Sequence, residues 1–230
     1  MMLLGSAILK ASLTDLYLRY VKEGLRAFLI AAGVLLIAAA IMTTWYELRA
    51  ADTAHGDEDG HGHTHHEPRV GWLLILPVLG LLFVAPPALG SYATGQAGTV
   101  SVTRAADWDY SLPPGDPVPI SLLDYSSLAL FDEGKSLAGR NVRLTGFVTP
   151  GPDGKPMLVR MKLTCCAADG RPIKVGLTGA APVGVPADTW IQTVGVYSSH
   201  VEKDPVNQAT VPFLEVTTWR KIAQPRQPYE

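Results

Sequence analysis

The chain has 230 residues, a formal net charge of −2, 17% charged side chains and 47% hydrophobic ones. A near-neutral balance without a basic surplus excludes a general nucleic-acid binder, whose electrostatic footprint is a basic face or stripe. The apolar content is unevenly spread: residues before Gly90 are rich in Leu, Ala, Ile and Val, and those after it have ordinary globular composition.

Met1 to Tyr20 opens apolar with Met1, Met2, Leu3, Leu4, Ile8 and Leu9 but holds Lys10, Asp15 and Arg19. It lacks the basic n-region and clean cleavage site of a secretory leader. It reads as a partial first span whose beginning lies upstream, the alternative being an interfacial amphipathic helix. Ala27 to Thr44 carries no charge, and as a helix it would run roughly 27 Å, close to a hydrocarbon core of ~30 Å. Trp45 and Tyr46 follow, where amphipathic rings suit the interface.

Five of the six histidines lie in the next loop, at His55, His61, His63, His65 and His66, interleaved with glycine and with Asp57, Glu58 and Asp59. Neutral imidazole is the commonest metal ligand, and imidazole-rich sites accept several transition ions. The spacing matches no fixed zinc helix. The expectation is a loose, exchangeable site for zinc or another transition metal built from His55, Asp57, His61, His63, His65 and His66, the alternative being a passive hydrophilic linker.

Val70 to Leu89 is a second uncharged run, interrupted by Pro77 and by Pro86-Pro87, so a kinked helix with an early end is expected. Arg19, Lys22 and Arg26 precede the first full span, which places residues 19–26 and the C-terminal domain in the cytoplasm and the 45–69 loop outside.

Gly90 to Pro119 reads as a linker with one short strand near Thr99–Thr103. Leu122 to Phe131 has the apolar spacing of a short helix. Five strand-like runs follow, at 141–149, 156–165, 172–178, 189–197 and 211–222, separated by turn chemistry such as Asp153-Gly154 and Asp169-Gly170. Five short strands with one helix suggest a small barrel of the OB type, in which Gly146 and Gly195 mark bends or bulges. The strands lack the interleaved basic and aromatic residues of a single-strand binding face, so no nucleic-acid partner is expected.

Cys165 and Cys166 are the chain's two cysteines and are adjacent. Neighbours in a regular strand point to opposite faces, but this pair stands where a strand gives way to a turn. A thiolate metal site, a strained vicinal disulfide and a redox thiol are the functional options, against one buried and one half-exposed inert cysteine. Asp169 reads as a turn residue. No nucleophile elbow, phosphate loop or nucleotide fingerprint accompanies the pair, and no enzyme is expected.

The segments Asp15-Leu-Tyr-Leu-Arg-Tyr-Val-Lys-Glu-Gly-Leu-Arg26, Ala85-Pro-Pro-Ala-Leu-Gly-Ser91, Leu144-Thr-Gly-Phe-Val148 and Leu163-Thr-Cys-Cys-Ala-Ala-Asp169, with the His-Gly loop, resemble the YcgQ-like permease-subunit family across nearly the whole chain. The resemblance implies a small subunit beside a larger multi-span permease, with a link to zinc homeostasis.

The expected architecture is thus a membrane α-helical N-terminal half and a small β-rich (α+β) soluble domain. It divides into a partial span at 1–24, a transmembrane helix at 25–46, the His-rich loop at 47–69, a transmembrane helix at 70–90, a linker at 91–119 and an OB-like barrel at 120–230. The expected role is a multi-pass accessory subunit in the cell membrane, in contact with the lipid bilayer and a multi-span permease and handling a transition metal. The alternatives are a membrane-anchored interaction module with a passive linker and a membrane-tethered thiol redox protein using Cys165 and Cys166.

Overall fold

The computed structural model describes residues 1–53, 76, 79–80, 87–102 and 112–230. The chain divides into two compact units, one of Met1–Tyr17 with Glu23–Pro87 and the other of Leu18–Lys22 with Ala88–Glu230.

In the first unit, helix α1 (Met2–Leu13) runs antiparallel to helix α2 (Arg26–Thr53). The helices approach closely because small residues face each other. A Cβ on Gly5 would lie 2.8 Å from the Ile37 side chain and 3.0 Å from the Gly33 carbonyl. Such small-residue contacts typify helix pairs in lipid. At the other end of the pair, the Arg26 guanidinium donates to the Ser12 carbonyl at 3.0 Å and lies over the Tyr17 ring. Glu23–Arg49 is the one stretch among the described residues long and apolar enough to cross a membrane. Its side chains point outward: Phe28, Leu35 and Met42 are 72%, 68% and 73% exposed. The second apolar run and the His-rich loop lie almost wholly outside the described residues, as do Trp108 and Tyr110.

The second unit is a closed five-stranded barrel. Strands β2 (Val142–Pro150), β3 (Pro156–Lys162) and β4 (Arg171–Gly179) form an antiparallel meander. Strand β5 (Trp190–Lys203) crosses back to pair with β2, and β6 (Thr210–Lys221) fills the gap, antiparallel to β5 and parallel to β4. A two-residue strand, β1 (Val118–Pro119), lies parallel to the start of β2. The strand limits follow the alternation in the sequence. Val142, Leu144 and Val148 face the interior with Leu158, Ile173, Val175, Leu177, Ile191 and Leu214. Gly195 sits at a bulge in the β5–β6 register, where a Cβ would collide with the Glu215 carbonyl. Gly146 likewise lets the Val159 carbonyl approach to 2.6 Å of where its Cβ would stand. Both glycines therefore permit the backbone to curl.

Helix α3 (Ser91–Gln96) is held at its start by Asp188, whose carboxylate accepts the Ser91 N–H at 2.6 Å and its hydroxyl at 2.7 Å. Helix α4 (Leu122–Phe131) buries Leu122, Tyr125, Leu128 and Ala129 against the barrel interior. Its first turn is capped by Ser121, which accepts the Asp124 N–H at 2.9 Å, and by the Glu230 carboxylate, which accepts from Leu122 and Leu123. These contacts satisfy donors that a helix start otherwise leaves orphaned.

Val159 and Met161 are buried in a second cluster outside the barrel, with Phe147, Met157 and Val211, covered by Leu89, Ala93, Trp190 and Tyr229. The expected strand near Thr99–Thr103 is revised. Residues 97–102 form no strand. Instead the Thr99 N–H donates to Asp204 at 3.0 Å and its hydroxyl accepts from Lys174 N–H at 3.1 Å.

Lys174 and Asp204 form a buried ion pair at 2.7 Å, at the floor of a cavity of about 230 Å³ lined also by Thr94, Thr149, Met157 and Val211. Burial would raise the Asp204 carboxyl, but hydrogen bonds from Lys174, Val206 and Thr99 outweigh it and hold it below the usual range. Its stabilisation is therefore present above the ordinary carboxylate pKa and is lost as the pH falls through the lowered value. Lys174→Met strands a buried carboxylate and is expected to cost about 3–5 kcal/mol, whereas pairing it with Asp204→Asn, which removes the charge and keeps an acceptor for Thr99 and Val206, recovers part of that loss. Denaturant unfolding of the detergent-solubilised chain checks this; equal losses in the single and double variants would disprove it.

Candidate functional site: an exposed dithiol beside a backbone strap

Strand β3 ends at Lys162, earlier than the alternation suggested, because Leu163 N–H turns to donate to the Glu230 carbonyl at 3.0 Å. Thr164 to Cys166 then folds over a single carboxylate. Asp169 accepts from the backbone N–H of Thr164 at 2.9 Å, of Cys165 at 2.7 Å and of Cys166 at 3.4 Å. This confirms Asp169 as a turn residue and explains how adjacent cysteines come to share a side. Leaving the strand removes the alternation that would separate them.

The two sulfurs lie 3.5 Å apart, both thiols being free, with Cys165 exposed and Cys166 half-buried. One ligand atom from each of Cys165, Cys166 and Asp169 falls within 4.8 Å of the others, and among the described residues this is the one such group of metal-ligating side chains.

Leu18–Lys22 folds against this loop as a strap. Lys22 N–H donates to the Cys165 carbonyl at 3.0 Å, Ala167 N–H donates to the Tyr20 carbonyl at 2.7 Å, and Val21 forms an antiparallel bridge with Cys166. The backbone carrying the dithiol is thereby fixed from both sides. Tyr229 secures the strap: its hydroxyl donates to the Arg19 carbonyl at 2.7 Å and accepts the Leu89 N–H at 2.9 Å.

The electrostatics are unlike those of a reactive thiol. Nucleophilic cysteines sit in electropositive surroundings that favour the thiolate. Here hydrogen bonding to Asp169, and next to Cys166, pushes the Cys165 thiol up to about 12. Reciprocally, Cys165 and the three backbone donors hold Asp169 down at about 2. The site is thus anionic, and without a cation the Cys165 thiol stays protonated at neutral pH.

Of the residues singled out from sequence, Cys165 and Cys166 come together with Asp169, whereas His55, Asp57, His61, His63, His65 and His66 lie outside the described residues. His200 contacts Glu202 at 3.0 Å and packs edge-on against Phe213. The strap and Tyr229 had no local signal, since backbone pairing at long range leaves no periodicity.

A DUF1980 C-terminal domain matches residues 128–230, from within α4 to the end of the barrel unit, in keeping with the YcgQ-like resemblance. No curated protein and no solved structure matches the chain.

Asp169→Asn removes the charge that keeps Cys165 protonated, so its thiol should fall towards the ordinary range. Maleimide labelling at pH 8 is expected to quicken severalfold. An unchanged labelling rate would show that Asp169 does not control the thiol.

Proposed function

We propose that the protein is a multi-pass accessory subunit of a membrane permease, handling a transition metal, with an OB-like barrel held where the membrane segment begins and ends. The observation that carries this is the double role of Tyr229. One hydroxyl binds Arg19, four residues before Glu23, and Leu89, two residues after Pro87. The chain leaves the barrel and rejoins it at one place.

That arrangement supports an anchor over a cleaved leader. Removing everything up to the end of α2 would also remove Leu18–Lys22, which is paired with the barrel's own loop. A chain that crosses once through α2 must cross again before Ala88 to meet the same hydroxyl, and the uncharged run at 70–89 has the composition for it. The outward-facing apolar side chains of α2 suit lipid. The resemblance to a permease-subunit family favours a multi-span partner that carries the solute. In that arrangement the His-rich loop is on the other side of the membrane from the barrel, and the basic residues before α2 favour a cytoplasmic barrel.

Sidedness is read by labelling intact cells with a membrane-impermeant thiol reagent, using a cysteine placed at Thr64 in a Cys165→Ser/Cys166→Ser background. The expected result is labelling of that cysteine from outside, and labelling of Cys165 in the unaltered chain only after lysis. Labelling of both from the same side would remove the two-crossing arrangement. Purification from native membranes should retain an integral-membrane partner, and its absence would end the subunit reading. In zinc titrations, changing His61, His63, His65 and His66 to Ala is expected to lower the stoichiometry; an unchanged stoichiometry would make the loop a passive linker.

A further inference from the structure

We infer that Cys165, Cys166 and Asp169 form an open, three-donor site for a tetrahedral divalent ion such as Zn²⁺, and that the ion and the Leu18–Lys22 strap stabilise each other. This shares with the preceding reading only that the chain handles a transition ion; it needs no permease partner.

The sulfur separation is compatible with a tetrahedral ion. Two sulfurs each ~2.3 Å from zinc at the tetrahedral angle stand about 3.8 Å apart, whereas a linear two-coordinate ion with the same bond length needs about 4.6 Å. The observed 3.5 Å is close to the tetrahedral edge and far from the linear span. A small rotamer adjustment closes the first difference, whereas the second needs a larger one. The third donor is already placed, because all three ligand atoms lie within 4.8 Å of one another. Asp169 uses three backbone donors to stay there. A carboxylate offers about four lone-pair directions, so one becomes available to an ion once the Cys165 thiol that donates to Asp169 has lost its proton.

The donor count indicates the type of site. Structural zinc sites are closed by four protein ligands, whereas sites with three keep a position for water or an incoming group. Cys165 is exposed, so a fourth position would be open to solvent. The site is suited to taking up and giving over an ion rather than to holding the barrel together, which its own core already does. Each thiol loses its proton to solvent as its sulfur–metal bond forms. One ion therefore displaces two protons, and nothing is oxidised.

The strap enters because it shares atoms with the site. The Cys165 carbonyl receives the Lys22 N–H, and Val21 bridges Cys166. An ion that immobilises both sulfurs holds the backbone on which the strap pairs, and linkage makes the effect mutual.

The test uses the full chain in detergent with its thiols reduced and Co²⁺ as a spectroscopic probe. A thiolate-to-cobalt charge-transfer band is expected in the wild type and in the variant with His55, His61, His63, His65 and His66 changed to Ala, and Zn²⁺ should displace it. Cys165→Ser and Cys166→Ser should each lose the band, and Asp169→Asn should weaken Zn²⁺ binding about 10–100-fold. In the unaltered protein Zn²⁺ should also protect both thiols from alkylation and slow exchange of the Lys22 amide, which guards against variants that fail to fold. Absence of the band from fully reduced wild type, its survival in either cysteine variant, or its loss with the histidines would overturn the site. Unchanged Lys22 exchange with zinc bound would overturn the coupling.

Discussion

One hydroxyl joins the Leu18–Lys22 strap to the chain at Leu89. Tyr229 donates to Arg19 and accepts from Leu89, which only a group with both a donor and lone pairs can do. It is held in place by its own segment. Tyr229 pairs with Met161 in a parallel bridge, Glu230 exchanges backbone hydrogen bonds with Met161 and Leu163, and the Glu230 carboxylate caps α4. Two consecutive residues thus connect the strap, the returning chain, the edge of β3 and the helix that fills the barrel. Burial pushes the Glu230 carboxyl up, against the helix N–H groups and Arg160. That carboxylate is retained for the donors it satisfies rather than for any net electrostatic gain.

The same segment explains why the barrel has two cores. A small barrel normally buries one face of each strand and leaves the other to water. Here the outer face of β2 and β3 is also covered, by Leu89, Ala93, Trp190 and Tyr229 over Phe147, Val159 and Met161. Strands that bury both faces resist opening, so the loop following β3 inherits a rigid base. The loop's two cysteines therefore stand on a backbone fixed by β3 on one side and by the strap on the other, the condition a binding constellation needs to keep its geometry.

Much of the barrel could be read from the sequence because period-two alternation survives wherever one face is committed to a core. The runs at 141–149 and 172–178 lie within a residue of β2 and β4, and the helix at Leu122–Phe131 matches α4. Legibility fails where packing is set from a distance. β5 continues to Lys203 past the expected end at Tyr197, because irregular register between Ser198 and Val201 breaks the alternation while pairing goes on. β3 stops at Lys162, because its next backbone partner is Glu230, far along the chain. The strap showed as nothing more than residues between two apolar stretches, since its role lies in backbone atoms that every residue possesses. At the site, adjacency drew notice to Cys165 and Cys166, but strand geometry argued that they should diverge. What brings them together is Asp169 gathering three N–H groups, a turn whose outcome depends on the strand ending first.

The chemistry of that turn follows from its charge. A carboxylate beside a thiol holds the proton on sulfur, which slows nucleophilic attack and exchange, since both proceed through the thiolate. In the proposed site the same carboxylate would favour a cation, which would take the place of the proton on sulfur. Because the Cys165 carbonyl and the Cys166 backbone also carry the strap, occupancy at the sulfurs and the pairing of Tyr20–Lys22 are linked through shared backbone rather than through a relay of side chains. Such linkage needs no large movement: a loop held by a few hydrogen bonds, each worth about 1 kcal/mol, shifts its population measurably when one ion fixes two of its residues.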